Sequence, residues 1–199
     1  MDTAKNRVAI ILCGGQSTRM QNPKSHLVYH FQEQYLHLIQ LCVEAGLETY
    51  VSCTFDQAYT FKENTKLILD LSLYTNAGPI SGLLSAIEKH PTKAILVIGC
   101  DYPLFGKFEL NQLLDTFELN KQTVCFYNEI SQMEEPLLAI YHPNDFSRIK
   151  SNFLAGKQSL RNFLAASNPI RIKPKSIDVL KSFDTPEEFS NFTAPPNAL

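Results

Sequence analysis

No apolar stretch in the chain approaches the ~20 residues that a membrane-spanning helix needs, and the polar residues 1–7 lead straight into a short apolar run rather than a secretory h-region. A membrane or export role is therefore not expected, and the reading is a cytoplasmic protein. Excess charge of one sign is also missing: 18 Lys and Arg stand against 20 Asp and Glu, for a formal net charge of -2. Without a basic face there is no footprint for a nucleic-acid backbone, so no nucleic-acid partner is expected. A phosphate pocket needs only a few cations in one place and survives this exclusion. The five cysteines, Cys13, Cys42, Cys53, Cys100 and Cys125, contain no close pair, which removes a zinc ribbon or a C-x-x-C redox motif. Four of them, all but Cys42, lie at or near the end of an apolar run and read as buried, reduced thiols. The histidines His26, His30, His37, His90 and His142 show no ligand spacing and read as surface or loop residues. There is no internal repeat, low-complexity tract or Gly/Ser linker. Neither G-x-x-x-x-G-K-[ST] nor G-x-G-x-x-G occurs, so the two best-known phosphate loops are excluded.

What remains is ordinary globular composition, 44% hydrophobic and 19% charged over 199 residues, enough for one self-sufficient core. The expected organisation is a single domain over residues 1–192, with a loose tail at 193–199 that carries Pro195-Pro196. Residues 8–13 form a short, unbroken apolar run, as a strand buried on both faces does, and end at Gly14-Gly15. Residues 33–45 place Leu36, Ile39, Leu41 and Val43 among polar residues and stop at Gly46, which fits a glycine-capped helix. Strands are predicted at 49–53 and 66–69, a helix at 81–89 with Leu83, Leu84 and Ile87 on one face, and the clearest buried strand at 94–99. A helix over 107–119, strands at 123–127 and 137–141, and two helices within 144–166, broken near Gly156 and restarted by Ser159, follow. Pro186 suits the first turn of a last short helix. Such alternation predicts an α/β fold, a single three-layer α/β/α domain with a Rossmann-like, mostly parallel sheet. Ligands of such sheets bind beyond the carboxyl ends of the strands, where successive connections diverge.

Two of those ends carry chemistry. After the first strand comes Leu12-Cys13-Gly14-Gly15-Gln16-Ser17-Thr18-Arg19-Met20, followed by Lys24. Adjacent glycines let the backbone approach a phosphate chain and aim amide hydrogens at it. Arg19 then grips phosphate oxygens as a fork, and Lys24 acts as a mobile point charge. Taken alone, the glycine pair reads equally as a plain turn. After the 94–99 strand stands Asp101, where a carboxylate can hold the Mg²⁺ that bridges triphosphate oxygens. The alternative is an aspartate that caps the turn into Tyr102-Pro103.

The loop L-C-G-G-Q-S-T-R-M-x-x-x-K resembles the signature of nucleotidyltransferases of the molybdenum cofactor guanylyltransferase type, also called the molybdopterin-guanine dinucleotide biosynthesis protein A family. Three more segments are similar in order. They are Asn76-Ala77-Gly78-Pro79-Ile80-Ser81-Gly82, Ile98-Gly99-Cys100-Asp101-Tyr102-Pro103-Leu104, and Glu135-Pro136-Leu137-Leu138-Ala139-Ile140-Tyr141 continued by the stretch from Ala155 to Leu164. The likeness spans residues 7–189.

This resemblance implies a fold of the nucleotide-diphospho-sugar transferase type and transfer of GMP from Mg-GTP to the terminal phosphate of molybdopterin. It places Leu12, Cys13, Gly14, Gly15, Lys24, Asp70, Gly78, Gly82 and Asp101 at the nucleotide. At Gly78 and Gly82 a side chain would take the space of the flat base; the plain alternative is a Gly-Pro helix start. For Asp70 the alternative is a solvated surface acid. Lys24, Arg19 and Asp101 carry catalysis, and Asp184 joins Asp101 at the metal or merely caps the helix before Pro186. Arg161 faces the acceptor, or pairs with a surface acid. A cofactor chaperone or molybdoenzyme is the implied downstream partner. Three departures stand out: Gln21-Asn22-Pro23 replaces G-x-D before Lys24, Phe31-Gln32-Glu33-Gln34 lacks the expected glycine, and Cys53 replaces an asparagine near the base. They leave open a transferase that uses CTP or a sugar phosphate, or a catalytically silent nucleotide-binding module.

Overall fold

The computed structural model describes residues 6–13, 24–183 and 185–193, without the side chains of Lys24 and Thr193. At its centre β1 (Arg7–Leu12) is apolar on both faces. Val8, Ile10 and Leu12 join one hydrophobic cluster and Ala9 and Ile11 the other, because successive side chains of a strand point to opposite sides. The remaining strands are β2 (Glu48–Cys53), β3 (Leu67–Leu69), β4 (Ala94–Gly99), β5 (Val124–Asn128), β6 (Met133–Tyr141) and β7 (Ile170–Ile172). They form one seven-stranded sheet in the order β3-β2-β1-β4-β6-β5-β7. Within it β6 alone runs antiparallel to its neighbours.

Two helical layers cover the sheet. On one face α1 (Gln34–Glu44) and α3 (Lys107–Asn120) bury Tyr35, Leu38, Leu110, Leu113 and Phe117. On the other α2 (Pro79–Lys89), α4 (Phe146–Leu154) and α5 (Leu160–Ser167) bury Leu83, Leu84, Ile87, Ile149 and Phe163. Full burial of a side chain of this size is worth roughly 1.5–3 kcal/mol, so the two clusters dominate stability. A last helix, α6 (Pro186–Thr193), adds Phe189 to a small cluster of Leu27, Tyr29 and Phe183. Among the described residues no helix is long and apolar enough to cross a membrane.

Helix ends follow their local chemistry. Gly46, at φ 76°, donates to Val43 O at 2.9 Å while Leu47 N–H reaches Cys42 O at 3.0 Å, the paired bonds of a glycine C-terminal cap. Gly156, at φ 77°, repeats the arrangement with Phe153 and Asn152, and Ser159 Oγ accepts from Asn162 N–H to restart the chain as α5.

Several expectations need correction. The inward stripe of α1 is Tyr35, Leu38, Leu41 and Cys42, whereas Val43 is exposed. α2 begins at Pro79, two residues before the expected start, since Gly78 already accepts from Ser81 N–H at 3.0 Å. β6 starts at Met133 rather than at 137, because Glu134 and Glu135 pair with Tyr127 and Phe126 of β5. No strand is predicted at β7, because three residues that directly follow Pro169, with an arginine in the middle, give almost no periodicity. Thr193 is the last residue of α6, not the first of the tail, and 194–199 lie outside the described residues. The five histidines are half-buried rather than plain surface residues, and His26 bonds both Glu33 at 2.6 Å and Thr60 at 3.0 Å.

Candidate active site

From β1 the chain moves outward to β2 and β3, then returns to lay β4 along the opposite flank of β1. Connections therefore diverge between β1 and β4, where an open α/β sheet leaves a crevice. The strand ends there are stitched into one rim. Cys13 N–H donates to Ser52 O at 3.0 Å, Cys100 N–H to Leu12 O at 3.2 Å, and Asp70 N–H to Cys53 O at 3.0 Å.

Asp101 stands at this divergence. Its carboxylate folds over Gly99: a Cβ built on that glycine would lie 2.7 Å from Asp101 Oδ1 and 3.0 Å from the Tyr102 ring. A side chain at residue 99 would thus push this carboxylate aside. Phe183 N–H donates to the Asp101 carbonyl at 2.9 Å, so the chain just before residue 184 is bound to this turn. His30 Nε2 bonds Pro103 O at 2.7 Å and ties the same turn to the segment after Lys24.

On the α2 side, Gly78 adopts φ 74°, ψ -148°, a conformation that L side chains avoid, and nothing lies within 4 Å of where its Cβ would be. Gly82 has a different reason. A Cβ there would overlap Ser52 Oγ and stand 2.6 Å from Leu12 Cδ2, so α2 approaches β1 and β2 too closely for any side chain. Helix-to-sheet packing is a sufficient reason for this glycine. Asp70 is half-buried rather than solvated; it accepts from Ser52 Oγ at 3.4 Å, and burial pushes its carboxyl up to about 6. Cys53 is fully buried, and burial followed by the Asp70 charge pushes its thiol up to about 11. Burial, and then contact with Cys100, likewise raises the Cys13 thiol well above its usual range. These sulfurs stay protonated and act as small hydrophobes, not nucleophiles.

Across the rim β6 delivers residues that sequence reasoning missed. Tyr102 Oη donates to Glu135 Oε2 at 3.3 Å, and Arg161 NH2 lies 3.6 Å from the same oxygen. Arg161 Nε also donates to Glu134 O at 3.1 Å. The acid it pairs with is buried, not the surface acid considered from the sequence. Glu134 is buried as well and holds Arg171 through Nε at 2.9 Å and NH2 at 2.6 Å. The available signal was two consecutive glutamates entering an otherwise apolar strand.

Gly14, Gly15, Arg19 and Asp184 lie outside the described residues, as does the side chain of Lys24, whose backbone opens a 3-10 turn, Lys24–His26. At the start of the last helix Thr185 and Glu188 cap each other. Thr185 Oγ1 accepts from Glu188 N–H at 3.1 Å while Glu188 Oε2 accepts from Thr185 N–H at 3.3 Å. Among the described residues no group of three or more His, Cys, Asp and Glu is arranged to hold a metal ion. The donor set fits Mg²⁺ nonetheless, since that ion takes one or two carboxylates and completes its shell with phosphate oxygens and water. Asp101, half-exposed above Gly99, is the carboxylate that such a site would use.

Comparison with known proteins agrees with this geometry. The family described as MobA-like NTP transferase domain matches residues 9–171. A "Probable molybdenum cofactor guanylyltransferase" of Halalkalibacterium halodurans is 24% identical over 195 residues, covering 94% of this chain and 98% of its own. A protein of the same name from Flavobacterium johnsoniae is 29% identical over 155 residues, 78% of each chain. Molybdopterin-guanine dinucleotide biosynthesis protein A from Archaeoglobus fulgidus superposes with a TM-score of 0.72 at 16% identity, over 93% of this chain and 95% of its own. The shared fold is the mostly parallel α/β sheet described above.

Proposed function

The chain belongs to the MobA-like NTP transferase domain family, and on that premise we propose that it transfers GMP from Mg-GTP to the terminal phosphate of molybdopterin and releases pyrophosphate. The observation that carries this reading is the carboxylate of Asp101, set over Gly99 at the divergence of β1 and β4. Asp70 and Gly78 line the nucleotide half on one side of it, and Arg161 lies on the other. The relatives named for guanylyl transfer to the molybdenum cofactor support both substrates.

In this reading an oxygen of the acceptor phosphate attacks the α-phosphorus in line, and the bond to the bridging oxygen of pyrophosphate breaks. No side-chain nucleophile is involved, so catalysis is positioning and charge neutralisation. The backbone at Leu12, Cys13, Gly14 and Gly15 wraps the triphosphate, while Lys24 and Arg19 meet the charge that develops on the transferring group. Asp101 and Asp184 hold Mg²⁺, which supplies neutralisation of the phosphate oxygens when bound. Asp70, Gly78 and the start of α2 bound the nucleoside, with Gly82 keeping that helix close, and Arg161 meets the acceptor. The work is expected in the cytoplasm, with the product passing to a cofactor chaperone or molybdoenzyme.

Cys53 favours a second reading in which base choice has shifted, since it leaves a buried thiol where the family has an amide. One experiment separates the possibilities: pyrophosphate release from GTP, CTP, ATP and UTP with molybdopterin, repeated with Asp101→Asn. Release with GTP, lowered on the order of a hundredfold or more in the variant, is expected. Release with CTP alone would overturn the guanylyl assignment. Nucleotide binding with no pyrophosphate at all would mark a silent binding module.

A further inference from the structure

One carboxylate touches both halves of the cleft. β6 runs antiparallel beside β4 with Ile98 opposite Leu138; three residues beyond Ile98 stands Asp101, and three before Leu138 stands Glu135. The reversed strand therefore carries Glu135 to the rim that Asp101 occupies. Its side chain is 9% exposed. A carboxylate so enclosed needs partners, and it has one from each side: the Tyr102 hydroxyl at 3.3 Å and the Arg161 guanidinium at 3.6 Å, both on Oε2. The ring of Tyr102 lies with Asp101 Oδ1 over Gly99. Arg161 is gripped a second time through Nε by Glu134 O at 3.1 Å, yet its side chain stays 46% exposed. Burial, and to a lesser degree the charge of Asp101, pushes the Glu135 carboxyl up, while Arg161 and the Tyr102 hydroxyl pull it down.

We propose that Glu135 is a positioning residue that sets Arg161 on the acceptor side, its Oε2 holding the guanidinium while it also accepts from the Tyr102 hydroxyl. A guanidinium pinned at Nε and at one amino group keeps its other N–H donors as a pre-oriented fork, and an anionic acceptor then meets a group already in place. Remove Glu135 and Arg161 keeps only its bond to a strand carbonyl. The kinetic consequence rests on the transfer reading above; the ordering of Arg161 does not.

The test uses Glu135→Ala, Glu135→Gln, Arg161→Ala and the double variant Glu135→Ala/Arg161→Ala in the full-length protein. With Mg-GTP and molybdopterin, Glu135→Ala is expected to raise the acceptor KM by about tenfold with GTP affinity unchanged. Glu135→Gln, which still accepts from Tyr102, falls between, and the double variant is no worse than Arg161→Ala. Independently additive losses, or an equal rise in the GTP dissociation constant, would overturn the proposal. In parallel, the side-chain Nε–H resonance of Arg161, assigned by its loss in Arg161→Ala, is followed by ¹⁵N NMR. It should broaden or move in Glu135→Ala, and an unchanged resonance would overturn the proposal whatever the substrate. If the wild type releases no pyrophosphate with these substrates, the transfer reading fails and the NMR result still decides the role of Glu135.

Discussion

At the scale of single residues, Asp70 makes a prediction that runs in two directions. Burial lifts its carboxyl from 3.8 to about 6, with one hydroxyl of Ser52 opposing the lift. An acid raised in the folded state supports folding fully below its unfolded value and loses that support as pH climbs through the folded value. Asp70→Asn should therefore melt higher than the wild type at pH 8, by about 1 kcal/mol once partial exposure is discounted, and equally at pH 3. Thermal denaturation across that range checks both the sign and the window. Nucleotide binding should move the opposite way if Asp70 accepts from the nucleoside. GTP affinity would then fall roughly tenfold per pH unit below about 6 in the wild type and stay flat in Asp70→Asn. The positions of Asp70 and Asp101 were legible because each follows a recognisable apolar run. Glu134 and Glu135 were not, since nothing along the chain announces that Arg161 and Arg171 come to meet them.

At the scale of elements, α2 carries two glycines with separate duties. Gly82→Ala forces the helix off β1 and β2 and should cost about 1–3 kcal/mol in urea denaturation, part of it recovered by Ser52→Ala, which removes the overlapping hydroxyl. Gly78→Ala meets no neighbour and should lose a similar ~1–3 kcal/mol from backbone strain alone, with no recovery from Ser52→Ala. Equal recovery in both would show that one cause had been mistaken for two. The bounds of β1 and β4 were nearly readable because uninterrupted apolar runs have one solution in a covered parallel sheet. The first half of β6 hid its strand character behind paired charges, and β7, directly after Pro169, is too short to show a period.

For the molecule as a whole, alternation of strands and helices revealed the layered architecture, but not the order of strands or the reversal of one of them. Neighbour relations are settled by which apolar faces must meet, and a strand's periodicity is the same whichever way it runs. The burial of all five cysteines gives a global prediction. Thiol reagents at pH 8 should label none of them rapidly in the folded protein and all five in denaturant, because burial keeps all five out of reach. Fast labelling of any one before unfolding would show that the element around it opens locally.

The reversal of β6 has a corollary for substitutions. A strand that enters the sheet at the rim where Asp101 stands spends two of its first residues, Glu134 and Glu135, on ion pairs with Arg171 and Arg161 before residues 138–141 disappear into the interior. A change in the first stretch therefore reaches two arginines on other elements, whereas a change in the second reaches only the apolar interior.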